Sequence, residues 1–132
     1  MSAQARGPSG AVLDLRTYKL APGAGTEFDR ILRERALPML RRYGIDVVAY
    51  GPSLDDGDVY YLMRAFSSAS ARDERLDVFY GSAEWRQSHR QSVLALIDSY
   101  DTLLIGLSLR SGGGWSDSDR ARSFWLGLAS AT

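Results

Sequence analysis

Two stretches of helical periodicity, each enclosed by stretches of strand periodicity, constrain this chain more than any other feature. LDLRTYKL (13–20) alternates: Leu13, Leu15, Thr17 and Lys19 share one side, and Asp14, Arg16, Tyr18 and Leu20 share the other. Pro22-Gly23-Ala24-Gly25 ends this strand, predicted over 12–20. Phe28, Ile31, Leu32, Ala36, Met39, Leu40 and Tyr43 then recur at three- and four-residue steps, one stripe of a helix. Gly25 or Thr26 is placed to cap it, Arg41 and Arg42 suit its last turn, and Gly44 suits the position just past its end. Pro38 cannot donate to the Glu34 carbonyl and predicts a kink. A second strand is expected over 45–51, a polar turn over 54–58 and a third strand over 59–66. Ser70 is the expected N-cap of a helix reaching Tyr80. Ser82 caps a further helical piece over 83–98, with Trp85, His89, Val93, Leu96 and Tyr100 on its face. A fourth strand is expected over 101–108.

This β-α-β-β-α-β order is the ferredoxin-like arrangement: an α+β fold with a four-stranded antiparallel sheet and helices on one face. At 132 residues the chain has room for one domain. That domain is expected over 12–108, after a flexible lead-in at 1–11. The extension at 109–132 starts with a glycine-rich joint; its Phe124, Trp125, Leu126 and Leu128 favour a short docked helix, and its Gly/Ser content favours the alternative of a disordered tail. A sheet covered by helices on one side leaves the other side bare, so a second copy of the chain is the expected partner.

Composition narrows the function. The formal net charge is zero, which argues against a nucleic-acid partner. There is no cysteine, so thiolate chemistry, disulfides and Cys-ligated metals are excluded. His89 is the single histidine, so no site can draw two from one chain. No apolar run approaches the roughly 20 residues that span a bilayer. MSAQARGPSG lacks the apolar stretch of a secretory signal, and a cytoplasmic location is expected. Asp55, Asp56 and Asp58 lack the spacing of a calcium loop and read as a solvated turn.

LDLRTYKLAPG, the helix containing ALPMLRRYGI, VYYLMRAFSS and LDVFYGSAEWR together resemble the NIPSNAP domain over about residues 12–108. The resemblance implies a dimeric α/β-barrel in which two ferredoxin-like units bring their sheets face to face. In that arrangement Leu13 and Leu15 would face the helices, and Asp14, Arg16 and Tyr18 would face a chamber able to hold a small molecule. It does not bring a settled catalytic set. The wider barrel superfamily includes cofactor-free quinone-forming monooxygenases, polyketide cyclases, muconolactone isomerases and haem enzymes, so the fold alone says little about chemistry.

Candidate catalytic residues follow from this placement. Arg16 can hold a carboxylate or enolate oxygen bidentately, and Tyr18 can donate or relay a proton. Equally, Arg16 can pair with Asp14 and seal a dimer. On the third strand Tyr60, Leu62, Arg64 and Phe66 share a parity, which would stand Arg64 beside Arg16; a slip of one residue would present Tyr61 and Met63 instead. Asp14, Tyr50, Tyr60, Phe66 and Trp85 are candidate walls of the pocket, while Trp85 and Phe79 also suit a helical core. His89 is the one side chain of a type that can gain or lose a proton readily near neutral pH, and it follows Trp85 by one helical turn. It serves as a proton shuttle, as a structural hydrogen-bonding histidine, or as the axial ligand of a haem that nothing else in the sequence supports. The reading is a cofactor-free enzyme of bacterial secondary metabolism that moves a proton on a hydrophobic, oxygenated substrate. The reaction would be cyclisation, isomerisation, elimination or oxygenation. The alternative is a ligand-binding or scaffolding homodimer without chemistry.

Overall fold

The computed structural model describes residues 10–107. Strand β1 (Val12–Leu20) is followed by helix α1 (Gly25–Ile31), a π-helical turn (Leu32–Ala36) and helix α2 (Leu37–Arg42). Strands β2 (Asp46–Pro52) and β3 (Val59–Phe66) form a hairpin. Helix α3 (Ala69–Gly81), a second π-helical turn (Trp85–His89) and the short α4 (Arg90–Leu94) lead into β4 (Ile97–Gly106). The four strands are antiparallel in the order β2-β3-β1-β4. This is the ferredoxin-like fold expected from the order of elements. The predicted extents of β1 and β3, the two central strands, coincide with the observed ones. The expected C-terminal helix and most of the lead-in lie outside the described residues.

Local chemistry explains most of the boundaries. Gly44 has φ +75°, and the Ile45 amide reaches back to the Leu40 carbonyl, closing α2 with a left-handed residue. Pro38 is accommodated without its missing donor because the π-helical turn immediately precedes it and places it in the first turn of α2. Helix α1 starts at Gly25 behind Ala24 with no side-chain cap. Ser68, not Ser70, caps α3, its Oγ accepting from the Ala71 amide at 3.0 Å. Ser82 caps the next helical stretch as expected, its Oγ accepting from the Trp85 amide at 3.1 Å. That stretch ends earlier than predicted. The π turn at 85–89 shifts the helical phase, α4 stops at Leu94, and Tyr100 belongs to β4.

The faces of β1 are the reverse of the expectation. Val12, Tyr18 and Leu20 join the core beneath the helices, with Phe28, Met39, Leu40, Tyr60, Leu62 and Phe79. Leu13 packs with Val48 and Ala65 in a separate cluster on the opposite face. Leu13 and Leu15 therefore face away from the helices, and Asp14, Arg16 and Tyr18 face toward them. The reason is an ion pair. Asp14 and Arg64 lie opposite each other on β1 and β3 and are both fully buried (0% exposed). Arg72 of α3 joins them from above. Buried charges of this kind are held by one another, so the polar parity of β1 turns inward.

Candidate functional site

The α3–α4 stretch, which forms the second helical layer beside α1–α2 on the same face, does not seal the sheet completely. Between β1, β4 and the α3–α4 region lies a cleft of about 430 Å³. Its apolar wall is Trp85, Val93, Leu94 and Ile97; its polar groups are Arg16, Tyr18, Tyr80, Arg90 and Tyr100. Trp85 is locked by ring contacts with Phe79 and Tyr80, both at 5.3 Å between centroids. Tyr18 stacks on Phe28 at 5.0 Å and sits 6.4 Å from Tyr100. Pairing of β1 with β4 sets Tyr18 opposite Tyr100 and Arg16 opposite Thr102. Arg16 Nε donates to Thr102 Oγ1 at 3.0 Å, and its guanidinium lies 4.5 Å from the Tyr100 ring centroid. No carboxylate partners Arg16 among the described residues, so its charge faces the cleft.

A chain of polar contacts supports this wall from behind. Asp14 Oδ1 accepts from Arg64 Nη2 at 3.0 Å, and Asp14 Oδ2 accepts from Arg72 Nε at 2.8 Å. Arg64 Nη1 then donates to the Tyr80 hydroxyl at 2.9 Å. Since that oxygen already accepts, the Tyr80 O–H is left to donate, and Tyr80 lines the cleft. Burial pushes the Tyr18 phenol well above its ordinary value, and the nearby Tyr80 adds to the effect. Tyr18 therefore stays protonated at neutral pH and acts as a donor.

The residues expected at the site divide into two sets. Arg16, Tyr18 and Trp85 come together in the cleft. Arg64 stands behind it, opposite Asp14 and not beside Arg16, with its charge engaged by Asp14. Asp14 is fully buried with both oxygens occupied, and it anchors β1 to α3. Tyr60 lies elsewhere along the sheet, where its hydroxyl donates to Asp29 Oδ1. Phe66 is core, and Tyr50 packs on its margin. His89 does not line the cleft. Its Nε2 lies 3.8 Å from Glu84 Oε2, its ring 6.4 Å from that of Trp85, and its Nδ1 is buried with no partner among the described residues. Tyr80 and Arg90 join the site without a signal of their own in the periodicity, and Tyr100, which the periodicity assigns to a helix face, joins it from β4. Tyr80 is within reach of sequence reasoning, because the stretch LDVFYGSAEWR that carries the family resemblance contains it.

Comparisons with known proteins agree with this architecture. The NIPSNAP family model matches residues 13–107. A NIPSNAP-like domain protein from Burkholderia xenovorans superposes with a TM-score of 0.71 at 15% identity, covering 84% of this chain and 99% of the other. A NIPSNAP family protein from Agrobacterium tumefaciens C58 gives a TM-score of 0.69 at 17% identity, with 84% and 95% covered. A Nitrosomonas europaea protein provisionally named as an antibiotic biosynthesis monooxygenase gives 0.62 at 13% identity, with 85% and 100% covered. Comparison with curated proteins found no match. At these identities the structural likenesses speak for the fold alone, but the family match spans most of the sequence: the chain is a member of the NIPSNAP family.

Proposed function

We propose that this protein is a small-molecule enzyme that moves a proton on carbon next to a carbonyl, using the cleft between the sheet and the second helical layer. What supports the reading is the convergence of Arg16, Tyr18 and Tyr80 on one apolar-walled cavity beside Trp85. A bound carbonyl oxygen would accept from the Arg16 guanidinium and a tyrosine hydroxyl. As the neighbouring C–H ionises, negative charge collects on that oxygen, where fixed donors stabilise it more than they stabilise the neutral carbonyl. No carboxylate or imidazole lines the cleft among the described residues, so the departing proton passes to water at the open mouth. Substrates with already acidic carbon, such as 1,3-dicarbonyls, fit this division of labour. Cyclisation, isomerisation, elimination and cofactor-free oxygenation all begin from such an enolate. A cytoplasmic role in bacterial secondary metabolism follows from the same reading, and the naming of the N. europaea neighbour is compatible with it.

The protein acts as a homodimer in this account. The sheet face away from the helices carries Leu13, Leu15, Met63, Ala65, Ile105 and Leu103, the last 59% exposed. A second copy would cover these side chains. Leu103→Lys is expected to give monomers in sedimentation velocity, and a dimer of unchanged stability would remove this face from the account.

The catalytic test is deuterium uptake at the methylene of benzoylacetone in D₂O, followed by NMR. Wild-type protein should accelerate exchange over buffer, and Arg16→Leu should lose about 10²–10³-fold of that acceleration while keeping its circular dichroism. Binding of benzoylacetone without accelerated exchange would leave a ligand-binding dimer and end the catalytic reading.

A further inference from the structure

Beside the cleft lies a second, polar hollow of about 620 Å³, lined by Tyr80, Gly81, Ala83, Arg86, Gln87 and Arg90. Tyr80 and Arg90 line both compartments, so the two are neighbours. The arginines here differ from five of the other nine among the described residues. Arg30, Arg33, Arg42, Arg64 and Arg72 each hold a carboxylate within ion-pair distance. Arg86 and Arg90 hold none among the described residues, and no acidic side chain lines the hollow. In a protein of zero net charge, two unneutralised guanidinium groups facing one concavity are a local excess of positive charge. The complementary chemistry is acceptor-only and anionic, because arginine has no acceptor to offer.

We infer that the ligand is an amphipathic organic acid that spans both compartments. Its apolar body lies against Trp85 and Val93, and its terminal carboxylate or phosphate sits between Arg86 and Arg90. The inference rests on the cleft being the ligand site. It adds the class of molecule and names Arg86 and Arg90 as the residues that select it. Arginine suits the task because its planar fork meets an oxyanion through paired hydrogen bonds. Both side chains lie toward solvent, so the attraction is screened by salt and a polar contact must supply part of the selectivity.

The test uses 4-(2-naphthyl)butanoate and its neutral primary amide as probes, with binding followed by calorimetry. Wild-type protein is expected to bind the acid at least about tenfold more tightly than the amide, with the difference shrinking as salt is raised. Arg86→Gln with Arg90→Gln should abolish that preference, and Arg86→Gln alone, which lies outside the cleft, should weaken it while leaving amide binding unchanged. Arg41→Gln, which removes an arginine on α2, should change neither. Equal affinity for acid and amide in wild type, or a preference that survives the double substitution, would overturn the inference while leaving the cleft as a binding site. Absence of binding by both probes would overturn the inference and the cleft reading together.

Discussion

Replacing Asp14 by asparagine removes one charge and almost no volume, and it isolates the feature that turns β1 inward. In the native fold Arg64 is fully buried, with Nη2 on Asp14, Nη1 on Tyr80 and Nε without a partner among the described residues. A neutral amide in place of the carboxylate would leave that guanidinium without a counter-ion in the interior. Breaking a buried pair from one side costs about 3–5 kcal/mol, a large fraction of the roughly 5–15 kcal/mol that holds a typical domain together. Arg72→Gln should cost less, about 1.5–3 kcal/mol, because the Arg72 side chain keeps 22% of its exposure and its loss leaves Asp14 still paired with Arg64. Asp14→Leu combined with Arg64→Met removes both charges and should recover much of the loss seen in Asp14→Asn. Urea unfolding followed by circular dichroism, at one fixed protein concentration, measures all four proteins. If Asp14→Asn unfolds within about 1 kcal/mol of wild type, the pair is not buried in solution and the assignment of faces on β1 is wrong.

Two further perturbations probe other parts of the structure. Gly44→Ala should destabilise by about 1–2 kcal/mol, because φ is +75° there and an added Cβ would lie 2.3 Å from Arg75 Nη1. Adding Arg75→Ala should not restore it fully, since the backbone strain remains; thermal unfolding reads both. Asp29 is opposed by its own burial, but hydrogen bonds from Tyr60 and Arg33 prevail and hold its carboxyl below the ordinary range. Its stabilising contribution is therefore present above that range and is lost as pH falls through the depressed value. Tyr60→Phe should raise the Asp29 titration toward the ordinary carboxylate value, visible by carbon-detected NMR, and shift the onset of acid destabilisation to higher pH.

The sequence carries the architecture well because periodicity and turn chemistry are local. β1, β3, the Gly44 terminus and the Ser82 cap each announce themselves within a few residues. The orientation of β1 is not local. LDLRTYKL offers an apolar set in each parity, Leu13 with Leu15 and Tyr18 with Leu20, and hydropathy favours the side without Asp14 and Arg16. Only the partners Arg64 and Arg72, 50 and 58 positions away, make the charged side the buried one. The start of β4 is obscured for a different reason. Trp85, His89 and Val93 are spaced for a regular helix, and the π turn at 85–89 breaks the phase that carries the prediction on to Tyr100. The candidate site is thus half legible: Arg16, Tyr18 and Trp85 stand out in the sequence, on a face whose direction the sequence inverts. His89 stands out as the single histidine, a distinction that says nothing about which side of a helix reaches a cavity.

The direct measurement is a titration of isotopically labelled protein with 4-(2-naphthyl)butanoate, followed by amide chemical shifts. The account predicts perturbations concentrated at Tyr18, Tyr80, Trp85 and Val93, around the cleft beneath the second helical layer. Perturbations confined to Leu15, Met63 and Leu103, on the opposite face of the sheet, would contradict it.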